Sequence, residues 1–400
     1  GYDVVSNRSK VAAYRAPGSP QAAFATETVS DELARIHGMD PIDFRLQNAS
    51  KEGTRRADGV VFPKVGNVEV LEAAKKSDHW NSDLGTPAKG RVRGRGVASG
   101  YWFNVGLKST VNLSVNSDGS VVLVEGSSDI GGTRTSISMQ AAEILGIEVE
   151  NFRPSVGDTE TAGYADVTGG SRTTYATGFA AVKAAENLIE VLKDRCAIIW
   201  SLDKNDIDFE DGTFFASKDP ELKFTFKELA SNLDNTGGPA ASSGSVDLES
   251  AGGAFGTHIV DVDVDTETGK TDIARYTVLQ DVGTAIYPAY VRGQMAGGAV
   301  QGIGWALNEE YYMKDDGTQA NVSYLDYRMP TALDLPNIET IIVEVPNPGH
   351  PFGVRGVGEV PICPPVGAIG NALHDALGKR FYDSPMKPGR ILNVLGKISD

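Results

Sequence analysis

The chain repeats one succession of patterns, in which a β-hairpin is followed by an Asp-Ile/Val-Gly turn and a helix. In the first copy, a hairpin of alternating apolar residues over 111–124 leads into the turn 129–132 and a helix. In the second copy, a hairpin over 259–279 leads into the turn 281–283 and a longer helix. The repetition predicts an α+β fold with two related modules of hairpins packed against helices. Independent convergence on a common motif is the alternative that a single sequence leaves open.

The remaining segments indicate where these modules begin and end. A polar stretch rich in Gly, Ser and Asp follows Trp200 and predicts a domain boundary near 235–255. We therefore expect a first module over 1–245 and a second over 246–400. Capping residues and apolar spacing predict further helices at 19–38, 40–48, 67–76, 171–200 and 365–378, and a buried strand at 338–345.

Charge and composition argue against several classes of protein. The 53 acidic residues outnumber the 37 basic ones, and this balance disfavours nucleic-acid binding. No apolar run reaches the roughly 18 residues of a membrane span, so we expect a cytoplasmic protein without membrane contact. Cys196 and Cys363 are the only cysteines. They are too few for a disulfide scaffold, or for an iron–sulfur cluster held by this chain alone, which normally takes about four.

Common catalytic motifs do not account for the chain. The five histidines lack metal-binding spacing, and there is no GxSxG sequence, so zinc and serine hydrolases are disfavoured. The glycine-rich segment 297–304 only loosely resembles a dinucleotide fingerprint, and it lies within a helical pattern. Close packing of a helix through small residues explains this segment at least as well.

Three glycine-bearing loops are more informative. They lie at 129–135, 168–173 and 356–359, at the ends of strands or the starts of helices. Such loops present backbone N–H groups, and a helix N-terminus favours anions. If the loops converge, they would suit a large, polar, charged cofactor, whereas any one of them alone is more simply a tight turn.

Glu359 is the residue that most clearly indicates catalysis. It follows Gly358, precedes Pro361, and lies just before the amphipathic helix that begins near Pro365. Neighbours rich in Val, Pro and Ile suit a carboxylate that abstracts a proton near neutral pH. Taken alone, a glutamate is more often a solvated surface residue.

Five segments in a fixed order resemble the molybdenum-cofactor subunit of the xanthine dehydrogenase, or molybdenum hydroxylase, family. The segment Gly353–Pro361 is similar to the family's active-site glutamate motif, and Tyr14–Gln21 to its arginine-containing loop near the metal. Asp129–Thr135 resembles its Gly-Gln-Gly cofactor loop, and Thr168–Ser171 a second cofactor loop. Gly298–Gly304 resembles the helix whose glutamine contacts the pterin. The resemblance covers essentially the whole chain and identifies it with the C-terminal half of an elongated cofactor-binding subunit.

The resemblance implies the cofactor and the chemistry. The cofactor is a molybdenum–pterin, molybdopterin, in its cytosine dinucleotide form, and no protein residue binds the metal directly. Glu359 is the implied base of a hydroxylation that takes its oxygen from water and transfers a hydride to molybdenum. Residues implied to contact the cofactor are Arg15, Ala16, Gly131, Gly132, Thr133, Thr168, Gly169, Gly170, Ser171, Thr173, Gln301 and Gly358.

One loop departs from the family pattern. The usual Gly-Gln-Gly is shortened to Gly131-Gly132, which leaves no glutamine side chain at that point. We expect backbone N–H groups of Gly132 and Thr133 to replace it.

The resemblance also implies a substrate pocket and partners. Pro17, Ser99 and Gly100 occupy pocket positions, and their small size indicates a wider pocket than that of purine oxidisers. The expected substrate is an N-heteroaromatic compound or an aldehyde. The expected partners are a chain with the N-terminal half of the molybdenum subunit, an iron–sulfur subunit with [2Fe–2S] clusters, and an FAD subunit.

Two other functions remain open from the sequence. The first is reductive dehydroxylation of an aromatic acyl-CoA, as in 4-hydroxybenzoyl-CoA reductase. The second is a non-catalytic scaffold that holds the cofactor, against which the intact Gly358-Glu359 pair argues.

Overall fold

The computed structural model describes residues 2, 4–9, 12–156, 158–250 and 252–398. Its helices are α1 (Ser19–Ile36), α2 (Pro41–Gln47), α3 (Asn67–Lys76), α4 (Asp78–Asn81), α5 (Thr133–Leu145), α6 (Gly178–Trp200), α7 (Phe226–Ser231), α8 (Pro288–Leu307), α9 (Pro365–Leu377) and α10 (Pro388–Val394). Its strands are β1 (Arg91–Trp102), β2 (Val105–Val115), β3 (Val121–Glu125), β4 (Phe152–Val156), β5 (Ile207–Glu210), β6 (Thr213–Ala216), β7 (Asp219–Thr225), β8 (Ala241–Ser250), β9 (Ala254–Asp265), β10 (Thr271–Asp281) and β11 (Ile338–Val343).

The first sheet has the order β4-β3-β2-β8 and is covered by α5 and α6. The predicted hairpin β2–β3 is antiparallel, with Leu113 opposite Leu123. Both leucines are fully buried. Alternate residues of a strand face the same side, and here that side is covered by α5 and α6. This core joins the apolar faces of the two helices to one face of the sheet.

The second sheet has the order β1-β9-β10-β11, and the helices α8 and α9 pack with it. The predicted hairpin β9–β10 is antiparallel, and β11 runs parallel to β10. Gly94 and Gly96 let α9 lie directly on β1, since a Cβ atom there would come within 2.4 Å of the helix backbone. The architecture is therefore α+β, as the sequence predicted, with helices packed on antiparallel hairpins.

The sheets do not divide at the expected boundary between residues 245 and 246. That boundary falls within β8, which pairs with β2. Strand β1 pairs with β9 along its whole length, from Arg91 opposite Asp265 to Trp102 opposite Ala254. Segments from before the boundary thus complete the second sheet.

Two further segments differ from the sequence-based expectation. The polar stretch after Trp200, expected as a boundary region, contains a small third sheet of order β5-β6-β7 and the strand β8. The helix expected from Ser171 begins at Gly178, after a π-helical turn over 173–177. Within the part of the chain that the structure describes, no helix combines the length and apolar character needed to cross a membrane.

Candidate functional site

Three separate glycine-bearing loops meet at one cleft. Gly131 and Thr133 come from the first loop, Ser171 and Thr173 from the second, and Gly358 from the third. The first loop precedes α5, the second precedes the π-helical turn, and the third precedes α9. The convergence predicted for these loops is therefore found at these residues.

The cleft is suited to an anionic, hydrogen-bonding ligand. Its described lining includes six Ser and Thr residues and no carboxylate. The Thr173 hydroxyl is buried and has no hydrogen-bond partner among the described residues. The N-terminus of α5 also opens at this place, because Thr133 is its first residue. Unpaired donors and a helix N-terminus together favour phosphate or another polar anion.

Glu359 is held at both carboxylate oxygens. The backbone N–H of Ala16 donates to Oε1 at 2.9 Å, and the Ser171 hydroxyl donates to Oε2 at 2.8 Å. The backbone N–H of Glu359 donates in turn to the Ser171 hydroxyl at 3.0 Å. Glu359 is partly buried, so the sequence-based alternative of a fully solvated glutamate is wrong.

The loop before Glu359 is fixed through its carbonyl oxygens. Asn104, Gln280 and Arg15 donate to the carbonyls of residues 356–358, in that order, at 3.1, 3.0 and 2.6 Å. These donors come from the β1–β2 turn, from β10 and from the loop before α1. The backbone is therefore held from three directions, which leaves the glutamate little freedom to shift.

Arg15 links the glutamate loop to α8. Its guanidinium donates to Gln301 Oε1 at 2.9 Å and to the Gln294 carbonyl at 2.8 Å. Gln301 Nε2 donates to the Tyr14 hydroxyl at 2.7 Å. Burial lowers the pKa of Arg15, partly offset by the nearby Glu359 carboxylate. Gln301 and Glu359, predicted to converge, are thus joined through the consecutive residues Arg15 and Ala16.

Arg355 and Asp281 form a fully buried ion pair behind the glutamate loop. Arg355 Nε lies 3.2 Å from Asp281 Oδ2. The Asp281 carboxylate also accepts the backbone N–H groups of Gly66 and Gly283, at 2.9 and 3.0 Å. Arg355 donates to the Gly253 carbonyl at 3.0 Å. The pair ties the glutamate loop to β10 and to the loop before α3.

The shortened loop brings a different glutamine to the site. A Cβ atom on Gly131 would lie 2.3 Å from Gln294 Nε2, so the α8 side chain fills the space beside this glycine. A Cβ atom on Gly132 would likewise lie 2.3 Å from the ring of Tyr290, which is also on α8. The sequence analysis missed Gln294, although it lies seven residues before Gln301 and thus on the same helix face.

Thr168, Gly169 and Gly170 shape the second loop without lining the cleft. The Thr168 hydroxyl accepts the backbone N–H of Ser128 at 3.1 Å. The Gly170 carbonyl accepts the backbone N–H of Val105 at 3.0 Å. These residues anchor the loop to the first sheet, and it is Ser171 and Thr173 that reach the cleft.

The three residues expected in one substrate pocket are separated. Pro17 lines a cleft formed with Tyr14 and Trp305. Ser99 and Gly100 line another cleft, between α1 and β1. The Ser99 backbone N–H and hydroxyl are both hydrogen-bonded within the protein, and Gly100 packs against Cys363. The structure thus places Pro17 in one cleft and Ser99 and Gly100 in another, because β1 turns these two residues towards α1 and Cys363.

Metal ions bound directly by a protein are usually held by clusters of His, Cys, Asp and Glu side chains. Over the described ranges, no group of three or more His, Cys, Asp or Glu side chains is placed to hold a metal ion. Both cysteines are buried, and burial raises the pKa of each thiol to about 12.

Comparison with known proteins gives one consistent result. Two models described as molybdopterin cofactor-binding domain match residues 69–336 and 1–49. The xanthine dehydrogenase molybdenum-binding subunit of Escherichia coli O157:H7 is 32% identical over 96% of this chain and 54% of its own length. The gamma subunit of the 6-hydroxypseudooxynicotine dehydrogenase complex of Paenarthrobacter nicotinovorans is 30% identical, over 98% and 52%.

A solved structure shares the fold. Quinoline 2-oxidoreductase from Pseudomonas putida 86 superposes with a TM-score of 0.83 at 24% identity, over 96% of this chain and 53% of that one. The chain thus spans about half the length of the relatives that it matches.

Proposed function

Because this chain belongs to the molybdopterin cofactor-binding domain family of xanthine dehydrogenase-type molybdenum subunits, we propose that it forms the catalytic-glutamate half of a molybdenum hydroxylase. The reaction is oxidation of an N-heteroaromatic or aldehyde carbon with oxygen from water. The observation that carries this proposal is the Glu359 carboxylate, which is held by Ala16 and Ser171 beside the cleft of the three glycine loops.

The residues at the cleft fit a molybdenum–pterin cofactor. The unpaired Thr173 hydroxyl and the N-terminus of α5 offer donors to its phosphates, and the cytosine dinucleotide form would use more of them. Gly131, Thr133, Ser171 and Gly358 would approach it closely through backbone or short side chains. When bound, this group supplies the two-electron oxidation chemistry.

Glu359 serves as the general base in this proposal. It accepts the proton of the attacking water, while the Ala16 N–H and the Ser171 hydroxyl keep its oxygens in place. Arg15 connects Gln301 to the carbonyl of Gly358, the residue before Glu359. We also assign to Gln294 the position that the missing loop glutamine leaves open, since its amide fills the space beside Gly131.

Electrons must leave through other chains. The two cysteines of this chain are buried and are too few for an iron–sulfur cluster. We propose an iron–sulfur subunit with [2Fe–2S] clusters and an FAD subunit as partners. We also propose that the half of the molybdenum subunit not matched by these residues completes the cofactor site. A cytoplasmic location is part of the same proposal.

Replacement of the glutamate tests the proposal. Glu359→Gln in the assembled enzyme should keep the molybdenum content and lower turnover by about 10²–10⁴-fold, the usual effect of removing a general base. Glu221→Gln is the control, since Glu221 is exposed on β7 in the third sheet. Dye-coupled turnover and metal analysis give the two readouts. Unchanged turnover of the Glu359 variant at full molybdenum content would refute the assignment and favour a scaffold.

A further inference from the structure

A second cleft lies next to the Arg15 loop, and aromatic rings dominate its walls. We call it the aromatic cleft and define it by Tyr14, Pro17, Trp305, Glu309, Tyr311 and Tyr327. Its volume is about 580 Å³. This is within the usual size range of pockets for small organic molecules.

The aromatic cleft adjoins the glutamate. Ala16 is one of its lining residues, and the backbone N–H of Ala16 holds Glu359 Oε1 at 2.9 Å. Ser171, which holds the other oxygen, lines the glycine-loop cleft. Glu359 is therefore bonded to one residue of each cleft, which places it between a cofactor side and a substrate side.

Four aromatic rings line the cleft in two pairs. The rings of Tyr14 and Trp305 have centroids 5.6 Å apart, and those of Tyr311 and Tyr327 are 6.2 Å apart. The face of an aromatic ring carries partial negative charge, so it attracts a cation. Four rings around one space therefore favour a positively charged or electron-poor guest.

A carboxylate lies among these rings. Glu309 Oε2 accepts the Tyr327 hydroxyl at 2.8 Å, and Gly304 leaves room for Oε1, because a Cβ there would lie only 2.0 Å from it. Burial raises the pKa of Glu309, and its negative charge helps to raise the pKa values of Tyr14 and Tyr327. A partly desolvated carboxylate regains favourable electrostatics when a cation approaches.

The described lining supplies no cation of its own. No Lys or Arg is among the described residues of the aromatic cleft. Arg15 lies beside Tyr14, but its guanidinium donates to Gly358 and Gln301 and its charge interacts with Glu359. Lys387 is paired with Glu310, the neighbour of Glu309. Among the described lining residues, Glu309 is thus the only charged group, and its partner can be a ligand.

We infer that the substrate carries a positive charge next to its oxidisable carbon, as in an N-alkylated heteroaromatic ring or a protonated amine on such a ring. Glu309 and the four aromatic rings bind the cationic part, and carboxylate-bearing substrates are rejected. This inference rests on the proposed hydroxylase function, because it assigns the aromatic cleft to the substrate of Glu359.

The test compares a cation with its neutral counterpart on the assembled enzyme. The probes are N-methylquinolinium and quinoline, and their Kd values are measured by isothermal titration. Wild type should bind the cation at least about tenfold more tightly. Glu309→Gln should weaken cation binding about 10–100-fold, as expected for loss of a charged contact, and change quinoline binding less than about threefold.

Two more variants separate a local contact from a general charge effect. Glu310→Gln removes an equal charge at the next position, where the carboxylate pairs with Lys387, and should leave both Kd values unchanged. Tyr311→Leu removes one ring and should weaken the cation by a few-fold, and more than it weakens quinoline. Equal binding of both probes to wild type, or cation binding indifferent to Glu309→Gln, overturns the inference. The hydroxylase proposal is decided separately, by the turnover of Glu359→Gln.

Discussion

At the scale of single residues, the two groups that hold the Glu359 carboxylate share an unusual backbone. Ala16 and Ser171 have φ angles of 55° and 58°, in the left-handed region that residues with a side chain seldom adopt. Such conformations cost about 1–3 kcal/mol each and persist where surrounding contacts enforce them. Here the enforcing contacts are those with the carboxylate itself.

The buried ion pair behind the loop gives a prediction on stability. Asp281→Asn leaves the buried Arg355 charge without its negative partner. The new side-chain NH2 group would also face a backbone N–H, of Gly66 or Gly283, so that two donors oppose each other. We expect the free energy of unfolding to fall by about 3–5 kcal/mol, measured by urea unfolding at pH 7.

A second aspartate provides the control. Asp272 pairs with Arg91 at the edge of the second sheet, and its side chain is 38% exposed. Because solvent screens such a pair, Asp272→Asn should cost at most about 1 kcal/mol. If both variants lose the same free energy of unfolding, the buried pair stabilises the protein no more than the exposed pair does.

The sequence predicted those site residues that belong to a short motif. Arg15, Ser171, Gln301 and Glu359 belong to recognisable strings, and the structure joins them by hydrogen bonds. Asn104, Gln280 and Gln294 were missed, as was Glu309. Each of these is a single polar residue outside any motif, and only the tertiary fold brings it to the glutamate site or, for Glu309, to the aromatic cleft.

At the scale of elements, α8 approaches the glutamate turn through glycines. A Cβ on Gly298 would lie 2.5 Å from the Pro361 ring, and one on Gly302 would lie 2.5 Å from the Pro365 ring. The interpretation of 297–304 as a small-residue packing stripe is therefore confirmed, whereas the segment follows no strand as a dinucleotide fingerprint would require.

This contact gives a prediction on activity. Gly298→Ala must push the rigid Pro361 ring and with it the turn that carries Glu359. Overpacking of this kind costs about 1–3 kcal/mol, and we expect turnover to fall with it. Gly293→Ala on the same helix has open space around it, so it should keep full turnover and equal or higher stability. Thermal unfolding and turnover of both variants decide the matter.

The hairpins were predictable from sequence, but one central strand was not. Strands β2, β3, β9 and β10 carry alternating apolar residues that indicate a buried face. In β1, the positions that face α9 include Gly94 and Gly96, which contact the helix through their backbone. The sequence of β1 therefore lacks the alternating apolar residues that predict a buried strand. The expected boundary at 245–246 had a different cause, since the polar residues of β8 were interpreted as a linker although β8 pairs with β2.

At the scale of the whole molecule, the segment 308–335 exposes an unusual amount of apolar surface. Tyr324, Leu325 and Leu333 are 90%, 91% and 98% exposed, and Tyr311 and Tyr312 are about half exposed. Large exposed apolar patches are typical of protein interfaces. The segment also supplies Tyr311 and Tyr327 to the aromatic cleft, so a partner that covers it would close the cleft.

The same exposure gives a prediction on cofactor binding. These 400 residues, expressed alone in a host that makes the cofactor, should bind no molybdenum stably, because one side of the site remains open to water. Metal analysis of the purified chain, beside the assembled enzyme as control, measures this. Stoichiometric molybdenum in the isolated chain would show that the site is complete without its partner.

The hydrogen bonds that fix the carbonyl groups of residues 356–358 have a consequence for how related sequences can diverge. Three side chains from three elements hold that loop, so under the proposed function a substitution at any one of them should disturb proton transfer by Glu359. The aromatic cleft takes its outer wall from an exposed segment that bears none of these anchors. If both proposals hold, a lineage with this fold can acquire new substrates through changes in 308–335, while the residues that position Glu359 stay unchanged.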